Sequence, residues 1–75
     1  MLPDRLVYMA NQIGKFFAHQ PENIAVDEIA DHIKSFWERR MLADIYAHLD
    51  AGGAGLDPRV ILALRKLRAE VTPAQ

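Results

Sequence analysis

The stretch from Ile29 to Met41 constrains the fold of this chain more than any other, because two apolar patterns meet there and fall out of phase. Val26, Ile29, Ala30, Ile33, Phe36 and Trp37 recur at intervals of three and four, the signature of one face of an amphipathic helix. Met41, Ile45 and Leu49 then continue by fours. Each helical residue turns about 100°, so a stride of four drifts about 40° per step. On one straight helix Ile33 and Leu49 would stand roughly 160° apart and could not face a common core. The pattern predicts a break or sharp bend near Trp37 to Arg39, although no proline or glycine enforces it.

The remaining segments read as helices on either side of that break. The first is expected to start at Pro3 or Asp4, since proline suits the first helical position and an aspartate there meets the positive end of the dipole. Leu6, Met9, Ile13, Phe16 and Phe17 form its expected buried face, with Ala10 beside them. Gly14 costs about 1 kcal/mol relative to alanine inside a helix and suits the close approach of a second one. Asn11 and Gln12 are polar in mid-helix, so at least one is expected at the edge of the apolar stripe, hydrogen-bonded if buried. The helix should end near His19 or Gln20, ahead of Pro21. A turn follows, with Asn23 as N-cap of a second helix over 24–36. A third helix is expected over 38–50. The run Ala51-Gly52-Gly53-Ala54-Gly55 stops it, because glycine accepts the left-handed conformation that closes a helix. Asp57 and Pro58 restart the chain as N-cap and first helical residue. Val60, Ile61, Leu64, Leu67 and Val71 give the fourth helix its apolar face, and Thr72 to Gln75 should fray. Nothing alternates with a strand period and nothing repeats. The expected fold is all-α, a small compact bundle of three to four short helices in one domain over 1–75, ordered over about 3–71.

Seventy-five residues allow only a small core, and the absence of cysteine removes disulfides, thiolate zinc sites and iron–sulfur ligation by this chain. Without staples, and with a first stretch that lacks the apolar run of a signal peptide, the cytoplasm is the expected compartment. No apolar run approaches the roughly 20 residues of a membrane span. A formal net charge of −1 argues against general nucleic-acid binding. The charge is uneven, however. Glu22, Asp27, Glu28 and Asp31 gather without a base among them, while Arg59, Arg65, Lys66 and Arg68 face Glu70 alone. Such a split serves helix dipoles, or one side of a complementary protein interface.

Candidate chemistry is sparse. The glycine run lacks the lysine and hydroxyl of a phosphate-binding loop and follows no strand, so it reads as a capping turn. No two of His19, His32 and His48 lie four apart, and Asp44 with His48 offers two ligands where structural zinc wants four. Arg40, Asp44 and His48 climb one face by fours, which reads as a solvated charge ladder. Asp31 and His32 are neighbours and point apart, and Ser35 has no evident base or oxyanion partner. No catalytic, cofactor-binding or metal-binding residue is expected. The informative group is Phe36, Trp37, Arg40 and Met41. With 51% hydrophobic residues, a chain this short has difficulty burying Tyr8, Phe16, Phe17, Phe36, Trp37 and Tyr46 together. Trp37 and Met41 either close the core or face outwards, where aromatic, methionine and arginine side chains compose an interface centre. The expected partner-binding surface is Phe36, Trp37, Arg40 and Met41, with Tyr8 and Asn11 from the first helix and His32 beside the stripe. A generic helical interaction module fits these features. A helix-turn-helix DNA binder with Asp57 to Leu67 as recognition helix is the weaker alternative.

Several motifs also resemble a known family. Asp31-His32-Ile33, Phe36-Trp37 and Arg40-Met41, preceded by Leu6-Val7-Tyr8-Met9-Ala10-Asn11-Gln12-Ile13 and Phe16-Phe17, and followed by His48-Leu49-Asp50-Ala51-Gly52-Gly53 and Gly55-Leu56-Asp57-Pro58, look like the small delta subunit of soluble NAD-dependent molybdenum or tungsten formate dehydrogenases. The resemblance covers most of residues 5 to 62. Family members commonly carry proline where this chain has Arg39, and that proline would enforce the break. The resemblance implies an accessory subunit of a cytoplasmic complex that oxidises formate to carbon dioxide with NAD. It implies no cofactor on this chain. The alpha subunit, the expected contact, would carry molybdopterin cofactor and iron–sulfur clusters. The beta subunit would carry FMN and the NAD site, and the gamma subunit a further cluster. The role implied for delta is assembly, maturation or stabilisation of the holoenzyme, with no nucleic acid and no membrane involved.

Overall fold

The computed structural model describes residues 2–71, with side chains through residue 70. Four helices follow one another: α1 (Pro3–Phe16), α2 (Glu22–Phe36), α3 (Arg39–Asp50) and α4 (Pro58–Val71). No strand occurs among the described residues. The Cα radius of gyration is 11.3 Å, as compact as a folded chain of this length should be. The fold is an all-α bundle, as expected.

The predicted break lies between α2 and α3. Trp37 (φ −90°, ψ 136°) and Glu38 (φ −74°, ψ 160°) are both extended. The Trp37 N–H still donates to Ile33 O at 2.9 Å, and Glu38 O accepts from the Leu42 N–H at 3.0 Å, so one helix closes as the other opens. Trp37 is only 8% exposed and belongs to the core. Burial of the indole holds the break here without the proline.

Two helix ends differ from expectation. α1 stops at Phe16, short of His19, and the chain passes through a turn in which Ala18 N–H donates to Lys15 O and Gln20 N–H to Phe17 O. The carbonyls released by this early stop find a donor elsewhere: the Arg59 guanidinium bonds to Ala18 O at 3.3 Å and Gln20 O at 2.9 Å. α2 starts two residues before the expected Ile24. Pro21, not Asn23, is its N-cap, with Pro21 O accepting from the Ala25 N–H at 2.8 Å. The proline ring presets the entry, and Glu22 supplies the acidic first turn, leaving Asn23 inside the helix.

The core gathers Leu6 and Ala10 of α1, Ile29, Ala30 and Ile33 of α2, Trp37, Ile45 of α3, Leu56, and Val60, Ala63, Leu64 and Leu67 of α4. No polar or charged residue is buried among the described residues. Gly14 makes the predicted close approach: a Cβ there would stand 2.8 Å from Val60 Cγ2, so α1 and α4 meet at a distance only glycine allows. The expected burial of Phe16 is corrected, since it is 72% exposed. Relative to the buried line Leu6, Ala10 and Gly14, Phe16 points about 120° away around α1. Beyond Leu6, the small residues Ala10 and Gly14 face inward, where they let α4 come close. The expected place of the Val71 side chain in the core and the expected fraying of Thr72 to Gln75 lie outside what is described.

Candidate interaction surface

The rotation of α1 builds a surface feature at its C-terminal end. Phe16 packs edge-on against Phe17, with ring centroids 5.0 Å apart and planes at 87°. Phe17 meets His32 of α2 at 6.4 Å, and His32 meets Phe36 at 4.7 Å. The four rings form a continuous ridge from α1 to α2. Its inner members, Phe17 and His32, are half-buried, while its outer members, Phe16 and Phe36, are each 72% exposed. Phe36 lies within the apolar stripe of α2 by angle, but it is the last helical residue, and the next one, Trp37, is the side chain that enters the core.

The residues expected to bind a partner are distributed as follows. Phe36 and His32 stand together in the ridge. Arg40 is exposed, and Met41 is half-buried against the core. Tyr8 is 65% exposed on α1, beside a shallow recess it shares with Asp4, Arg5 and Met9. Trp37 stands inside, which decides its core-or-surface alternative for the isolated chain. Asn11 is half-buried and bonds to backbone on both sides of its amide. Its Nδ2 donates to Gly55 O at 2.9 Å, and its Oδ1 accepts from the Asp57 N–H at 3.0 Å. It pins the α3–α4 loop to α1, satisfying the mid-helix polar residue as expected. Phe16 and Phe17 are ridge members that periodicity assigns to the buried face. Periodicity alone does not separate them from the core, because the side that turns inward is set by the packing of α4 against Ala10 and Gly14.

The glycine loop caps α3. Gly52 N–H donates to Leu49 O at 3.1 Å and Gly53 N–H to His48 O at 2.9 Å, with Gly53 in the left-handed region at φ 65°. His48 bonds through Nε2 to Ala54 O at 2.7 Å, so ring and loop close on each other. No group of three or more His, Asp or Glu able to hold a metal occurs among the described residues. A groove of about 320 Å³ runs between α1 and the start of α4, but Arg59 on its wall is engaged with backbone carbonyls.

The basic residues of α4 bind the bundle together. Lys66 pairs with Asp27 of α2, and Arg68 pairs with Asp50 of α3 while its guanidinium lies 5.7 Å from the Tyr46 ring centroid. The Arg68 hydrogen bond holds the Asp50 carboxyl below the usual carboxylate range, and the Asp27 hydrogen bond raises Lys66. Burial raises the Tyr46 phenol, whose hydroxyl has no hydrogen-bond partner among the described residues. The uneven charge noted in the sequence is thus partly neutralised inside the molecule, across α2, α3 and α4. The same pairings count against a recognition helix: Val60, Ala63, Leu64 and Leu67 of α4 are buried, and Arg59, Lys66 and Arg68 are engaged.

No helix among the described residues is long and apolar enough to cross a membrane. No curated protein and no solved structure shows a significant similarity to the chain. A family model does match it, over residues 5–64, a span that includes all of α2 and α3, the glycine loop and most of the ridge-bearing α1. That family is FdsD, the NADH-dependent formate dehydrogenase delta subunit, and the chain belongs to it.

Proposed function

We propose that this chain is a non-catalytic accessory subunit of a cytoplasmic NAD-dependent formate dehydrogenase, supporting assembly, cofactor maturation or stability of the catalytic alpha subunit. The observation that carries this reading is the family match over residues 5–64. The chain's own donors do not suit the groups such a complex needs. It has no cysteine for an iron–sulfur cluster, and the N–H groups of Gly52 and Gly53, the natural candidates for cradling a phosphate, are committed to closing α3. Molybdopterin cofactor, iron–sulfur clusters and FMN belong to the alpha, beta and gamma partners in this reading. The delta chain touches the alpha subunit through the surface around His32, Phe36, Arg40 and Met41, with Tyr8 on α1, while Trp37 supports that surface from the core and Asn11, expected there too, is committed to the loop backbone.

The test is affinity purification of the tagged chain from cells that make active formate dehydrogenase, with partners identified by mass spectrometry. Recovery of the alpha subunit is the expected result, and recovery of the chain alone rejects the reading. A strain lacking the chain separates the roles. Alpha subunit with depleted molybdenum cofactor identifies maturation. Full loading with a dissociation-prone complex identifies stabilisation. Full loading and normal activity reject both.

A further inference from the structure

We propose that the ridge Phe16–Phe17–His32–Phe36 is the docking element, and that it enters an apolar cleft with a carboxylate-lined rim on a larger subunit; this rests on the reading of the chain as an accessory subunit. The two outer rings are preorganised. Phe16 leans edge-on upon Phe17 and Phe36 lies tilted at 39° against His32, so each rests on a half-buried neighbour that restricts its rotamers and lowers the ordering cost of binding. Exposed, rigid aromatic side chains of this kind make interface hot spots.

Area and charge choose the occupant. A phenylalanine that is 72% exposed offers roughly 150 Å², so the two outer rings offer about 300 Å². A specific interface needs about 800 Å² from each partner. Two copies meeting ridge to ridge would reach less than half of that, within the range of adventitious contacts. A cleft that surrounds the ridge gathers the remaining area from its flanks, and this requires a partner large enough to be concave. Within four residues of the ridge rings lie the exposed bases Lys15, Lys34, Arg39 and Arg40, against the exposed acids Asp31 and Glu38, so the flanks carry an excess of positive charge in a chain whose net charge is −1. A self-dimer would set two such flanks against each other, whereas a rim of Asp and Glu would complement them.

The experiment uses the full chain, tagged and co-expressed with the other subunits of its native complex, and compares wild type with Phe16→Ala/Phe36→Ala and with Lys15→Glu/Lys34→Glu. Both double variants should keep the wild-type circular dichroism and melting curve, since all four side chains are exposed. The phenylalanine pair should bind about 100-fold more weakly than wild type. The lysine pair should slow association, and wild-type association should slow as salt rises. Sedimentation of the isolated wild-type chain should give a monomer. Wild-type recovery of partners by the phenylalanine pair overturns the ridge while leaving the accessory role standing. Failure of the wild-type chain to recover any subunit removes the accessory role and the proposal with it. A wild-type dimer that the phenylalanine pair dissolves assigns the ridge to a second copy and overturns the heterologous cleft.

Discussion

Asn11→Ala removes two hydrogen bonds with one substitution, and the structure allows the cost to be worked out. Asn11 Oδ1 holds the part-buried Asp57 N–H at 3.0 Å, and Nδ2 holds Gly55 O at 2.9 Å. The second bond is exposed and contributes about 0.5–1.5 kcal/mol net. Losing the first leaves a partly buried N–H without its partner, a cost of about 1–3 kcal/mol. Alanine returns roughly 0.5 kcal/mol through its higher helix propensity. The expected net loss is about 1–4 kcal/mol, centred near 2.5 kcal/mol. A domain of this size has a total stability on the order of 4–11 kcal/mol, so a large fraction is at stake. Urea unfolding followed by circular dichroism should show a lower midpoint with an unchanged slope, and the melting temperature should fall by roughly 10–20 °C. Hydrogen exchange supplies the local readout: the Asp57 amide should lose protection more than amides of the α2 core, because the loop loosens before the bundle does. A midpoint shift equivalent to less than about 0.5 kcal/mol, or an Asp57 amide as protected as in the wild type, would refute the assignment of Asn11 as the anchor of the loop.

Three further outcomes are expected. Gly14→Ala should destabilise the protein by about 1–2 kcal/mol despite its better helix propensity, because the new methyl meets Val60 Cγ2, and Val60→Ala in the same chain should relieve part of that loss in a double-mutant cycle. Tyr46→Phe should be neutral or stabilising by up to about 1 kcal/mol in thermal melts, since the hydroxyl it removes is buried and unpaired; a loss above about 1 kcal/mol would reveal a partner for that hydroxyl. Asp50 contributes a pH-dependent stability whose sign follows from its lowered carboxyl: the contribution is complete above the ordinary value of about 4 and disappears as pH falls through the lower folded-state value. Melting temperatures measured across acid pH should therefore fall less steeply in Asp50→Asn than in the wild type.

Much of the fold was legible in the chain because it is written in local signals. The out-of-phase stripes on either side of Trp37 required a break, and the extended Trp37 and Glu38 supply it. The glycine run required a helix stop, and Pro58 required a start. Asn11 in mid-helix required a partner, and the loop backbone provides it. Other local signals misled. Asn23 is a good capping residue by type, yet Pro21 two positions earlier already set the helix entry. Spacing also gave no sign that the His48 ring bonds to Ala54 O, a contact made only once the loop folds back.

The sequence alone thus determined the all-α class, a bundle of three to four helices, the break at Trp37 and the glycine stop, and the motifs that place the chain in its family. Which side of each stripe faces inward was decided only by the tertiary structure. Periodicity defines an apolar arc on a helix, but the direction that arc turns depends on the side-chain volume of a neighbour distant in sequence. Ala10 and Gly14 let α4 approach until Val60 fills the gap, and α1 turns to meet it. That rotation expels Phe16 and brings it into line with Phe17, His32 and Phe36, while Trp37 goes inward. The pairing of Lys66 with Asp27 and Arg68 with Asp50 has the same origin, since charges far apart in the chain become partners only when the helices that carry them pack.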